Sequence, residues 1–369
     1  IMDISNKTFV VVGTGKSGVA AAELLLRHAK KVYLYDGNEA LDVAAFRKQH
    51  QSLNAVELIL GTLPAEIETT LDIAVLSPGV PLDIPVVEQM KAQGICIWGE
   101  IELAYVLGKG TVVAITGTNG KTTTTTLVGQ IMARHFAKVQ VVGNIGIPYT
   151  SVVEDTTEDT VVVAEISSFQ LETIQTFAPK VAAILNITPD HLNRHHTMEN
   201  YIAAKESIVK NQSKEDVCVL NYNDKVLRDF GKTLEQNVIY FSSTEVLEEG
   251  LYLDGNEIMW ARNGVSEPII SVEELHILGA HNYENAMAAI ALCDGMGVPM
   301  QTICDGLRAF HAVEHRIEFV CKKNDIAFYN DSKGTNPDAA IKGICAMNRK
   351  TVLIGGGYDK ESTYDEWID

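Results

Sequence analysis

The chain has 369 residues, 46% of them hydrophobic, and carries 30 Lys and Arg against 48 Asp and Glu, a net charge of −18. That length accommodates roughly two to three domains with cores of their own. The acidic balance argues against a nucleic acid or an anionic membrane surface as partner, and no apolar run reaches membrane-spanning length. Met2-Asp3-Ile4-Ser5 lacks the basic and apolar regions of a signal peptide, and the six cysteines are scattered with no C-x-x-C pair. Reduced thiols and a cytoplasmic location are therefore expected.

Lys7 to Val12 reads as a buried strand, and Gly13-Thr14-Gly15-Lys16-Ser17-Gly18 follows as a G-x-G-x-x-G turn that opens a helix. A second strand, Lys31 to Tyr35, ends at Asp36, close to the spacing at which a dinucleotide fold places its ribose-binding acid. A third, Ile73 to Leu76, ends in Ser77-Pro78-Gly79. Two readings stand here: a dinucleotide fingerprint serving an NAD-dependent dehydrogenase, or tight turns that any doubly wound parallel sheet requires.

Thr111 to Thr116 is a β-branched apolar run that feeds Gly117-Thr118-Asn119-Gly120-Lys121-Thr122-Thr123-Thr124 and then a helix. Backbone N–H groups, a helix N-terminus and an ammonium are aimed at one point, which suits a polyphosphate, and the Thr122 hydroxyl is placed to reach its magnesium. The strict P-loop pattern wants glycine where Ile115 stands. Two more strands end in polar groups. One leads to Asn144; the other, Thr160 to Ala164, ends at Glu165, where a P-loop enzyme keeps a second magnesium anchor. A further strand, Val181 to Thr188, leads into a loop with His191, His195 and His196. These are open to a zinc reading or to that of ordinary loop histidines.

On a wheel of the helix expected over Glu199–Lys210, Lys205 falls at the centre of a stripe made by Tyr201, Ile202, Ile208 and Val209. It either snorkels along that stripe or is a buried amine with a lowered pKa. Asn282 and Asn285 share one face of the next helix, as ligands for a base or ribose edge or as helix caps. A last α/β pattern follows, with strands expected at Glu314–Val320, Ile326–Asn330 and Lys350–Ile354. Only residues 311–369 remain for it, short of the usual domain size of about 100 to 150. The chain is expected to stop within that domain.

Taken together, Thr116 to Thr123, Glu165-Ile166-Ser167-Ser168-Phe169-Gln170-Leu171-Glu172, His281-Asn282-Tyr283-Glu284-Asn285-Ala286 and Asn330 to Asn336 resemble the motifs of the Mur ligases. These are ATP-dependent amide-forming enzymes of peptidoglycan synthesis. The resemblance implies an α/β architecture of three domains. They would be a Rossmann-like uridine-nucleotide domain at 1–104, a P-loop ATPase-like domain at 105–310 and an incomplete Rossmann-like domain at 311–369. It implies a monomer with ATP and magnesium as cofactors and UDP-N-acetylmuramoyl-L-alanine and D-glutamate as substrates. The L-alanine carboxylate would be activated as an acyl phosphate and attacked by the D-glutamate amine.

By the same resemblance Thr14, Lys16, Ser17, Asp36, Ser77, Pro78 and Gly79 would lie by the uracil and diphosphate, and Asn144 by the sugar substrate. Thr118 to Thr124 would hold the phosphates, with Lys121 on the β and γ groups. Asn282, Asn285, Arg316 and Asp331 would take the adenosine. Thr122 and Glu165 would bind one magnesium, and His191 and Lys205, as a carbamate, the second. Lys333, Thr335 and Lys360 lie where the family handles phosphate and D-glutamate.

Overall fold

The computed structural model describes residues 2–144, 146–311, 316–347 and 349–357. Five short apolar segments pair in parallel at its N-terminal end: β1 (Thr8–Val12), β2 (Lys31–Asp36), β3 (Glu57–Leu60), β4 (Ile73–Leu76) and β5 (Cys96–Gly99). Their order is β3-β2-β1-β4-β5, with Val10 opposite both Tyr33 and Ala74. The chain leaves β1 in one direction and returns past it to β4, so the crevice at the C-terminal ends of β1 and β4 is the topological switch point. All five residues of β1 are buried, as a strand covered on both faces must be.

A second sheet of nine strands follows: β6 (Thr111–Thr116), β7 (Val139–Gly143), β8 (Val161–Glu165), β9 (Val181–Ile184), β10 (Val217–Asn221), β11 (Asn237–Ser242), β12 (Gly250–Asp254), β13 (Glu257–Arg262) and β14 (Val265–Ser271). Its order is β14-β13-β12-β11-β10-β9-β6-β8-β7. Across the sheet from β7 to β12 each adjacent pair is parallel, and β13 and β14 add antiparallel to β12 as a meander that closes one edge. β6, between β8 and β9, is where the winding reverses. Both glycine loops thus stand at switch points, each in its own sheet.

The two sheets share a continuous core: Leu25 and Ile101 belong to the same buried cluster as Tyr149, Val162 and Ile208. The helix Glu100–Leu107 carries that continuity and locks it with two buried acids. The Glu102 carboxylate accepts from the Gln175, Thr176 and Phe177 backbone N–H groups at 2.9, 2.8 and 3.0 Å. Glu100 accepts from the Thr150 N–H and hydroxyl at 2.6 and 2.8 Å.

After residue 311 the chain forms an antiparallel hairpin, β15 (Glu318–Lys323) and β16 (Ile326–Asn330), and then the helix Pro337–Cys345. The strand expected at Lys350–Ile354 does not form. That stretch has no ladder partner among the described residues, and Val352 and Ile354 are 92% and 95% exposed. A β-strand needs a neighbour for its backbone groups, and apolar composition alone does not supply one. The expected helix Glu199–Lys210 is instead an α-helix at Met198–Glu206, started by the Thr197 side chain and finished by one 3₁₀ turn.

Candidate active site

The phosphate loop is drawn tight by geometry that only glycine tolerates. Gly120 has φ +85°, and a Cβ there would lie 2.3 Å from the Asn285 Oδ1. Asn285 therefore packs directly on the loop, accepting from the Thr124 hydroxyl at 3.2 Å and donating to Asn282 at 3.2 Å. The helix Ala280–Gly295 is capped by Gly279, so neither asparagine is its N-cap; both are buried and face the loop. Thr118 is buried as well, bonded to the Thr188 carbonyl and the Tyr201 hydroxyl. Thr122 and Thr123 begin the helix Lys121–Met132.

Two lysines converge below this loop. Lys121 Nζ donates to the Gly117 and Thr118 carbonyls, each at 2.9 Å, and Lys205 Nζ donates to the same Gly117 carbonyl at 2.8 Å. Lys205 is 2% exposed, so the snorkelling reading is corrected: its amine does not reach water. Burial pushes both pKa values down, Lys205 far below the usual lysine range, and the Lys121 charge depresses Lys205 further. Glu165 and Asp190 counteract this only in part. A pair of desolvated amines sharing one carbonyl calls for added negative charge, which a polyphosphate would bring.

Glu165 closes the pocket from the end of β8. Its Oε1 accepts from Asn144 Nδ2 at 2.8 Å, while its Oε2 is buried with no hydrogen bond among the described residues. An unsatisfied buried carboxylate oxygen beside a phosphate loop is the donor a hard cation takes. Asn144, expected on the sugar substrate, is engaged with that carboxylate. His191 sits in the left-handed conformation, φ +52°, with its ring edge-on to Phe169 at 4.9 Å.

A cleft opens beside the loop, lined by Asn119, Gly120, Asn282, Asn285, Arg316 and Asp331 among others. All four expected adenosine residues are therefore brought together there. Arg316 Nε is buried without a hydrogen-bond partner among the described residues, and burial raises the Asp331 pKa against the lowering effects of the Ile317 N–H and Arg316. Lys333 and Thr335 stay exposed on the turn after β16, and Lys360 lies outside the described residues.

The first glycine loop is differently furnished. A Cβ on Gly18 would lie 1.9 Å from the Gly13 carbonyl oxygen, so helix and loop meet at backbone contact. Asp36 accepts from the Thr14 N–H and hydroxyl at 3.0 and 2.5 Å and from the Asn38 N–H at 3.0 Å. Burial raises its pKa, but those hydrogen bonds outweigh burial and leave it lowered. Ser77 Oγ is buried directly across from Gly13 with no hydrogen-bond partner among the described residues, beside half-buried Ser17 and Pro78 and exposed Gly79. Lys16 reaches over to the Gly146 carbonyl in the loop after β7.

Several site residues were not singled out in the sequence. Asn186 Oδ1 accepts from the Asn119 N–H at 2.8 Å and its Nδ2 donates back to the Asn119 carbonyl at 3.0 Å. Arg194 joins Glu172, at 2.8 Å, to the Val80 carbonyl, at 3.0 Å, across the two sheets' domains. Their only sequence signal is position: Asn186 follows β9, and Arg194 lies between His191 and His195.

Comparison with known proteins settles what this arrangement belongs to. Residues 115–293 match the model of the Mur ligase middle domain, and residues 7–99 that of the Mur ligase MurD-like N-terminal domain. The UDP-N-acetylmuramoylalanine–D-glutamate ligase of Lachnoclostridium phytofermentans is 53% identical over 367 residues, covering 100% of this chain and 81% of the relative. The chain belongs to the Mur ligase family. The ligase of the same name from Clostridioides difficile is 43% identical over 371 residues, with the same coverage. Among solved Mur ligases, the UDP-N-acetylmuramate:L-alanyl-γ-D-glutamyl-meso-diaminopimelate ligase of Neisseria meningitides aligns at TM-score 0.56 and 20% identity, over 84% of this chain and 99% of that one. The UDP-N-acetylmuramate–alanine ligase of Thermotoga maritima aligns at 0.53 and 22%, over 92% and 77%. At such identities the likeness is one of fold. Mur ligases carry out ATP-dependent ligation in peptidoglycan synthesis and generally use magnesium, which overturns the dehydrogenase reading of the first glycine loop. No helix among the described residues is long and apolar enough to cross a membrane.

Proposed function

We propose that this Mur ligase joins D-glutamate to UDP-N-acetylmuramoyl-L-alanine, consuming ATP, with working units at 1–104, 105–310 and from 311 onward. Residues Thr118 to Thr124 hold the triphosphate, with Lys121 neutralising the charge that develops on the transferred phosphoryl group. Asn282, Asn285, Arg316 and Asp331 take the adenosine. Thr14, Lys16, Ser17, Asp36 and Ser77 to Gly79 bind the uridine diphosphate end, and Asn144 the muramoyl portion. Lys333, Thr335 and Lys360 serve phosphate and D-glutamate. The observation that carries this reading is the pair of buried amines, Lys121 and Lys205, on one carbonyl beside the unsatisfied Glu165 oxygen.

Those groups fit magnesium, with Thr122 and Glu165 holding one ion and His191 and a carbamylated Lys205 the other. When bound, the metal neutralises phosphate charge and orients the oxygens. The chain itself supplies the rest. The loop's N–H groups fix the leaving phosphates, and the alanine carboxylate is held in line with the γ-phosphoryl group. The acyl phosphate forms as the terminal P–O bond breaks, the glutamate amine adds to its carbonyl carbon, and phosphate leaves as the amide forms. The deciding experiment offers the full-length protein ATP, the muramoyl-alanine nucleotide and a panel of amino acids. Phosphate release that requires D-glutamate is expected; release with another amino acid instead, or none at all, would overturn the reading.

A further inference from the structure

The phosphate loop is tied to the third unit across 219 positions of sequence. Asn119 Nδ2 donates to Asp338 Oδ2 at 2.6 Å, and Asn119 Oδ1 accepts from Asn336 Nδ2 at 3.1 Å. The two partners define which way the Asn119 amide faces, because the flipped amide would set oxygen against carboxylate and NH₂ against NH₂. Neither partner is loose. Asn336 is the N-cap of the helix Pro337–Cys345, its Oδ1 accepting from the Ala339 N–H at 2.8 Å. Asp338 is also paired with Lys342 at 3.0 Å.

The backbone of Asn119 is meanwhile held by Asn186 through the two bonds described above. One residue of the loop is thus fixed from both sides: its main chain by the sheet that carries the loop, its side chain by the third unit. Gly120 and Lys121 follow immediately, so their backbone direction inherits this constraint. The negative charge of Asp338 is spent on Asn119 and Lys342. A simpler role for Asp338 exists, since an acid in a helix's first turn stabilises that helix through its dipole alone. That role does not involve Asn119.

We propose that Asp338 is a positioning residue for ATP: through the Asn119 amide it sets the phosphate loop against the third unit. The inference rests on the ATP reading of the loop. The test is a double-mutant cycle of Asn119→Ala and Asp338→Ala, read by calorimetry of a magnesium-loaded, non-hydrolysable ATP analogue. Each single variant is expected to weaken binding about tenfold, the scale of a lost hydrogen bond to a charged group. The double variant should be no worse than the weaker single, whereas independent effects would multiply to about a hundredfold. Asp338→Asn, which keeps an acceptor oxygen for Asn119, should stay within about threefold of the parent.

Binding of the uridine nucleotide should be unchanged in all of them, reporting an intact fold. Multiplying losses, or an Asp338→Ala variant that binds the analogue as the parent does, would overturn the linkage. Either result leaves the ligase reading standing, since that reading depends on D-glutamate-dependent phosphate release by the parent.

Discussion

The molecule contains two glycine loops of nearly the same construction and opposite chemistry. Each follows a central buried parallel strand, opens a helix and stands where its sheet reverses winding. Around Gly13–Gly18 the half-buried charge is negative: Asp36, held ionised by Thr14 and Asn38, with Lys16 left exposed. Around Gly117–Lys121 the buried groups are basic: two desolvated lysine amines, with Glu165 offering one unsatisfied oxygen. An acid at the first loop selects hydroxyl and N–H donors, while amines at the second demand phosphate. Glycine spacing builds the crevice, and the titratable groups around it choose the ligand.

The largest effect tests that division directly. Lys121→Ala should lower D-glutamate-dependent phosphate release by on the order of 10³, the scale of losing one preorganised charge at a transition state. Uridine-nucleotide binding, in the other sheet, should be kept. Loss of both ligands together, with the fold intact by circular dichroism, would show that the loops do not act separately.

Lys205→Ala should cost on the order of 10² or more in turnover if the residue is a metal-binding carbamate. An amine reacts with carbon dioxide only when unprotonated, and burial at 2% exposure favours that form. A mass increment equal to carbon dioxide, retained under gentle conditions, and activity loss in carbon-dioxide-depleted buffer are both expected. An active, magnesium-loaded enzyme with an unmodified Lys205 would remove the carbamate from the account.

At the first loop the mirror-image change is smaller. Asp36→Ala should weaken the uridine nucleotide about tenfold, one charged hydrogen-bonding group's worth, and leave the ATP analogue's affinity alone. An equal loss at both sites would blur the contrast between the loops.

Much of this contrast was legible in the sequence, because strand, glycine turn and helix follow one another locally and a lysine on an apolar stripe announces itself. The pairing of Asn282 with Asn285 was legible from helix spacing, whereas Arg316 and Asp331, which line the same cleft, were legible only through the family motifs. What lay hidden depends on folding at a distance. Nothing in the local pattern brings Asn186 against Asn119, or Arg194 across to Val80. The meander of β12 to β14 escaped notice because its strands serve the sheet edge and carry no motif. The strand expected at Lys350–Ile354 failed for the converse reason, a strand-like composition without a partner to pair with.

The smallest effect concerns the joint that holds the two loops in register. His195 is buried, 3.2 Å from Glu172 through Nδ1 and 2.9 Å from the Ser168 hydroxyl through Nε2. Burial, then the Arg194 charge, pushes its pKa down to about 4. The Glu172 carboxylate works the other way, but Arg194 already neutralises it at 2.8 Å. A neutral ring satisfies both contacts, donating from Nδ1 and accepting the Ser168 proton at Nε2. In the unfolded chain the ring titrates near 6.5, so between about 4 and 6.5 the unfolded state binds more protons and stability rises with pH. The contribution is complete above 6.5 and is lost as pH falls toward 4. His281, also pushed down to about 4 by burial, adds a second contribution of the same sign. His195→Gln should therefore flatten the rise of melting temperature over pH 4 to 6.5 by roughly half of what the two histidines supply together. A variant whose pH profile runs parallel to the parent's would mean that His195 is already charged in the fold, and that Glu172 rather than burial governs the joint.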